Sequence, residues 1–98
     1  MPSFRKQDLR STFGRKCRAE ETTRDHVWFY FWIGDTIYAQ TKVSHGRGDV
    51  DVRIAGRIAR QVGLNPSQLS ELVNCTMSAE AFYSNLEERG PLTGRVGL

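Results

Sequence analysis

The chain has 98 residues, enough for one small domain or one domain with an appendage. Hydrophobic residues make up 39% and charged residues 26%, which excludes a disordered composition. The net charge of +3 is unevenly spread: residues 1–60 hold 12 of the 14 Lys and Arg against 7 of the 11 Asp and Glu (+5), and residues 61–98 hold 2 against 4 (−2). A basic part on a small domain fits a polyanion partner, and it equally fits a solvated surface.

The longest apolar run is Val27-Trp28-Phe29-Tyr30-Phe31-Trp32-Ile33. A membrane span needs about 20 such residues, so none is expected. Residues 1–10 carry charge without an apolar stretch, so no signal peptide is expected either. A cytoplasmic protein with no membrane partner follows. Cys17 and Cys75 could form at most one bridge, which suits a reducing compartment. Asn74-Cys75-Thr76 and Arg47-Gly48-Asp49 match short patterns that arise by chance and carry no weight here.

In chain order, Ser3 can cap a helix over residues 4–13 that Gly14 stops. Leu9 and Phe13 fall on one face of it, with Arg5, Lys6, Asp8 and Arg10 toward water. A weak first strand is predicted over 16–21. Residues 26–33 give the strongest strand signal, β-branched or aromatic after the histidine. Gly34-Asp35 is a turn, and 36–44 is the partner strand, with Ile37, Ala39, Thr41 and Val43 alternating against Tyr38, Gln40 and Lys42.

Two registers are open. A plain two-residue loop sets Trp32 opposite Ile37 and puts His26, Trp28, Tyr30 and Trp32 on the buried side. A longer loop or a bulge instead buries Val27, Phe29 and Phe31 with Ile37, Ala39 and Val43. The second is preferred, because it leaves the side chains with polar handles on the open face.

Asp49 is the expected cap of a helix over 50–62 with an apolar stripe of Val50, Ile54, Ala55, Ile58, Ala59 and Val62, ended by Gly63. Arg53, Arg57 and Arg60 lie on an adjacent face. Asn65-Pro66 opens a further helix with Leu64 and Leu69 as a staple. Ser78 caps the last helix, which carries Phe82, Tyr83 and Leu86 on its apolar side. Residues 91–98 read as a loose tail. The fold class is therefore α+β: three antiparallel strands with helices on one face, then two short helices. The α-β-β-β-α order is that of double-stranded-RNA-binding domains.

Thr41-Lys42-Val43-Ser44-His45-Gly46, followed by a helix and then Ala59-Arg60-Gln61-Val62-Gly63-Leu64, resembles the HicA toxin family. Arg24-Asp25-His26 falls where that family has its Gly-Ser-His-like histidine, although the small residues before the histidine are replaced here. The resemblance covers residues 4–64. It implies a double-stranded-RNA-binding-domain fold over residues 1–64; the helices read over 65–90 are an extension beyond the family's usual length. It also implies a ribonuclease that cuts messenger RNA and is neutralised by a HicB-like antitoxin, with His26 at the catalytic position.

Metal-independent cleavage of RNA needs a base for the 2′-hydroxyl proton and cations for the crowded phosphorane. Histidine suits the first task because it titrates near neutral pH. A strand-end histidine bonded to a turn carbonyl is the plain alternative for His26. His45 reads either as a second acid–base or RNA-contacting group or, preferably, as a bond that pins the strand-to-helix turn. Lys42, Arg53, Arg57 and Arg60 are candidate phosphate contacts, with a solvated face as the alternative. The aromatic run fits burial against a partner, cover by the rest of the chain, or stacking on unpaired bases. Zinc at Cys17, His26, His45 and Cys75 lacks any supporting spacing. No metal site and no cofactor is expected. Three functions stay open: a ribonuclease toxin, an RNA-binding module that does not cut, and a degenerate member that binds a protein through its aromatic face, a homodimer included.

Overall fold

The computed structural model describes residues 4–92. In chain order it has β1 (Phe4–Arg5), α1 (Lys6–Ser11), a π-helical stretch (Thr12–Lys16), β2 (Glu20–Thr23), β3 (Val27–Ile33) and β4 (Thr36–Val43). There follow β5 (Asp49–Val50), α2 (Val52–Gln61), α3 (Pro66–Val73) and α4 (Ala79–Arg89). β2, β3 and β4 form an antiparallel meander in that order, and β1 pairs with β5 as a separate two-stranded ribbon. The result is α+β.

The meander combines the two registers read from sequence. Gly34-Asp35 is a two-residue turn with Trp32 opposite Ile37. A bulge between Phe31 and Trp32 then shifts the ladder, so Phe31 meets Ala39 and Val27 meets Val43. Val27, Phe29, Phe31, Ala39, Thr41 and Val43 are all buried on the inner face. Ile37, expected with them, pairs with Trp32 on the far side of the bulge and is only half-buried.

Helices cover that inner face. Phe13 meets Phe29 and Phe31 edge-on, at 5.5 and 5.4 Å between ring centroids, and Phe82 meets Phe31 at 5.4 Å. α2 is tied to the same face by the Thr41 hydroxyl, which donates to Gln61 Oε1 at 2.7 Å. Leu69, Leu72, Phe82 and Leu86 are fully buried in the same apolar cluster as Leu9, Phe13 and Ile58. The two C-terminal helices therefore complete the core. Lys16 Nζ donates to the Leu72 and Met77 carbonyls, Tyr83 donates to the Cys17 carbonyl, and Arg89 donates to the Tyr38 carbonyl.

Three local expectations change. The first helix starts after Arg5, because Phe4 and Arg5 pair with Val50 and Asp49. It then runs past Gly14: the Cys17 N–H reaches back five residues to the Thr12 carbonyl, and Arg18, at φ 54°, takes the left-handed turn. Gly14 lies inside the helical stretch, and a Cβ there would meet only the flexible end of Glu21, at 2.9 Å, and the edge of Phe29 at 3.7 Å. The first strand of the meander begins four residues later than predicted, at Glu20. Asp49 belongs to β5, and the cap of α2 is Asp51, whose Oδ1 accepts from the Arg53 N–H at 2.8 Å.

The later punctuation matches its prediction. Gly63 ends α2 at φ 79°, where Arg89 Nη1 approaches to 3.0 Å of where a Cβ would stand. Asn65 and Gln68 close a capping box on α3, and the Ser78 hydroxyl accepts from the Ala81 N–H at α4. The Ser3 cap and most of the expected tail, residues 93–98, lie outside the described residues. Among the described residues no helix is long and apolar enough to cross a membrane.

Candidate functional site

A cavity of about 380 Å³ opens where α2, the ends of β4 and β5, and the turn before β3 meet. Val43, Val50, Ile54 and Ile58 supply its apolar lining, and Lys6, His26, Lys42 and Arg57 supply its basic groups. Asp49, Asp51, Ser44 and Gln61 complete it. The charge balance is three permanent cations and one titratable histidine against two carboxylates, and Asp51 already accepts the cap hydrogen bond of α2.

Each basic group arrives by a different route. Arg57 is on the exposed side of α2, one residue before buried Ile58. Lys42 is outward on β4, one residue before buried Val43. Lys6 starts α1 and is brought across by the β1–β5 pairing, where its N–H donates to the Gly48 carbonyl at 3.0 Å. His26 sits one residue ahead of β3, in a tight turn closed by the Arg24 N–H donating to the His26 carbonyl at 2.8 Å.

That turn is held from outside by His45. Its Nε2–H donates to the Arg24 carbonyl at 2.8 Å, across 21 residues of sequence. The loop carrying His45 is in turn held by Arg10, whose guanidinium donates to the Ser44 and Gly46 carbonyls at 2.7 Å each. His45 is thus a structural donor, as preferred from sequence, but the turn it pins is the one before His26. It does not line the cavity.

The His26 ring is half-buried, and its Nδ1 lies 3.3 Å from Asp25 Oδ2. The Trp28 indole N–H beside Asp25 is the main cause that holds its carboxyl below the usual carboxylate range, with His26 next. Neither nitrogen closes a well-aligned hydrogen bond, and both Trp28 Nε1 and His26 Nδ1 are buried from solvent. Asp25 is thus a neighbour that can orient His26.

The cavity therefore gathers His26, Lys42 and Arg57 and leaves Arg53 and Arg60 on the exposed surface of α2. Sequence reasoning gave Lys6 to water and passed over Gln61 and Asp25 as site residues. Gln61 carried a signal, since it stands in the motif that bears the resemblance. Lys6 carried none, because the β1–β5 pairing that places it joins Arg5 to Asp49 and Phe4 to Val50, far apart in the sequence.

The outer face of the meander continues from this cavity. Trp28 and Tyr30 stack at 6.5 Å with a 12° interplanar angle. Arg24 and Lys42 both sit over the Trp28 ring, at 5.2 and 5.3 Å from its centroid. Arg24 also donates to the Tyr30 hydroxyl at 2.8 Å, and Trp32 Nε1 donates to Glu20 Oε1 at 2.8 Å.

Cys17 offers no competing nucleophile. Burial pushes its thiol up to about 11, partly offset by Lys16, so it is neutral at physiological pH. Cys75 is free and exposed. Among the described residues no group of three or more His, Cys, Asp or Glu side chains is placed to hold a metal ion. Comparisons with protein-family models, curated proteins and solved structures return no match for this chain. Fold and site together define a small α+β protein with a histidine-bearing basic cavity.

Proposed function

We propose that this chain is a HicA-like, cytoplasmic messenger-RNA ribonuclease with a double-stranded-RNA-binding-domain-like fold, partnered by a HicB-like antitoxin. One observation carries the reading: His26, Lys42 and Arg57, chosen from sequence for base and phosphate roles, line a single cavity. In this reading Asp25 favours the His26 tautomer with its hydrogen on Nδ1, which leaves the Nε2 lone pair as the base. His26 takes the 2′-hydroxyl proton, and the 2′-oxygen attacks the adjacent phosphorus. The bond to the 5′-oxygen breaks, and that oxygen takes a proton from water or a neighbouring cation. Lys42, Arg57 and Lys6 stabilise the charge that builds on the phosphorane. His45 and Arg10 act as positioning residues by holding the turn that presents His26.

The test is cleavage of messenger RNA in EDTA by the wild-type chain and by His26→Ala. The wild type should cut, and the variant should lose roughly 10²–10⁴-fold in rate while still binding RNA. Binding without cleavage in both proteins would move the chain to the RNA-binding module. Cleavage that disappears on chelation and returns with magnesium would place the chemistry elsewhere.

A further inference from the structure

The outer face of the meander has a polarity along its strands. At the His26 end, Trp28 carries two cations over its ring and stacks on Tyr30. At the turn end, Trp32 is 42% exposed and is bonded to Glu20. Lys42 belongs to both surfaces: it lines the cavity, and its ammonium rides on Trp28. The positive, aromatic end of the sheet is therefore continuous with the site.

We infer that this end of the sheet is a track for an unpaired RNA segment leaving the cavity, with one base stacked on Trp28. The inference rests on the RNA reading of the site and adds the form of RNA it takes. A base competes for the ring with Arg24 and Lys42. A stacked base is the stronger occupant, because cations held over partly exposed rings are bound weakly. The displaced cations then lie beside the phosphates of the same nucleotide, so binding exchanges a ring contact for a charge contact. One feature favours RNA over a protein partner. Protein interfaces are depleted of lysine at their centres, yet Lys42 stands between the aromatic patch and the cavity. An unpaired segment is required because bases inside an A-form duplex do not offer their faces.

The test uses the full chain carrying His26→Ala, so that RNA stays uncut, and Trp32→Phe. The chain has two tryptophans, so Trp28 then becomes the sole one. The probes are an oligouridine of about ten nucleotides and an RNA duplex of about 16 base pairs. Oligouridine should quench Trp28 emission saturably, and the duplex should not. Measured with labelled oligouridine, Trp28→Ala should weaken affinity roughly 5- to 150-fold, and Trp28→Phe should retain most of it. If the alanine variant proves unfolded by circular dichroism, the quenching and Trp28→Phe measurements decide alone. Oligouridine binding with silent Trp28 emission overturns the track and leaves the ribonuclease reading standing. Failure of both RNAs to bind at low salt overturns the two together. Dissociation of a dimer by Trp28→Ala, with no RNA response, overturns the track and gives the face to a second copy.

Discussion

The two faces of β3 are made from one unbroken aromatic run and do opposite work. Val27, Phe29 and Phe31 point inward and are at most 5% exposed, packed on Phe13, Phe82 and their neighbours. Trp28, Tyr30 and Trp32 point outward and meet Arg24, Lys42 and Glu20. Alternation alone separates them, and chemistry decides which set goes where. Phenyl and aliphatic groups leave no polar atom behind when buried, whereas indole N–H and phenol O–H need partners. A continuous aromatic run is therefore not one surface: half of it is packed in the core, and half faces outward among charged side chains.

Substitutions on neighbouring residues can break that contrast. Phe29→Ala should lower unfolding free energy by about 3–5 kcal/mol, since the ring is fully buried. Tyr30→Ala, one residue on, should lower it by less than about 1 kcal/mol, because it loses a partly exposed ring and a single surface hydrogen bond. Urea denaturation of the two variants is the check, and equal losses would mean that the outer face is structural as well.

The helix side also has its own response to alkali. Burial raises Cys17 to about 11 and Tyr83 to about 12, and the charged form of Cys17 adds to the tyrosine shift. Both groups prefer to stay protonated when folded. Their stabilising effect is therefore complete below about pH 9 and is lost as pH rises toward 12, because the unfolded chain ionises first. Thermal melts should fall across that window, and Tyr83→Phe should flatten its upper part.

A smaller effect separates two neighbouring aspartates. Asp51→Ala removes the cap of α2 and should cost about 1 kcal/mol, whereas Asp49→Ala should cost only a few tenths. Smallest is the loss of one phosphate contact. Arg57→Gln should flatten the slope of log RNA affinity against log salt by about 0.7–0.9, with little change for Arg53→Gln or Arg60→Gln. Equal slopes for all three would return the whole stripe to solvated surface.

What the sequence disclosed follows from the range of the forces involved. Caps and stops at Gly63, Asn65 and Ser78 depend on residues three or four apart, and each was readable. The face assignment of β3 was readable because a period of two sorts seven residues at once. A bulge was one of the readings the preferred face required, but its place between Phe31 and Trp32, beside an intact two-residue turn, was not readable, since it depends on packing against Phe13 and Phe82. Asp49 and Asp51 both precede the apolar stripe. Choosing between them required knowing that Phe4 and Arg5 pair with Val50 and Asp49. The site behaved in the same way: His26, Lys42 and Arg57 were visible as residue types, while Lys6 entered only through that long-range pairing. Gly14 had the composition of a helix stop, but the helical stretch runs past it.

The most direct measurement is mass spectrometry of the ends left on a short RNA after cleavage by the wild-type chain in EDTA. Attack by the 2′-oxygen, with His26 as base, leaves a 2′,3′-cyclic phosphate, or the 3′-phosphate from its hydrolysis, on one fragment and a 5′-hydroxyl on the other. Fragments ending in a 3′-hydroxyl and a 5′-phosphate would require water to attack the phosphorus, and would contradict the role given to His26.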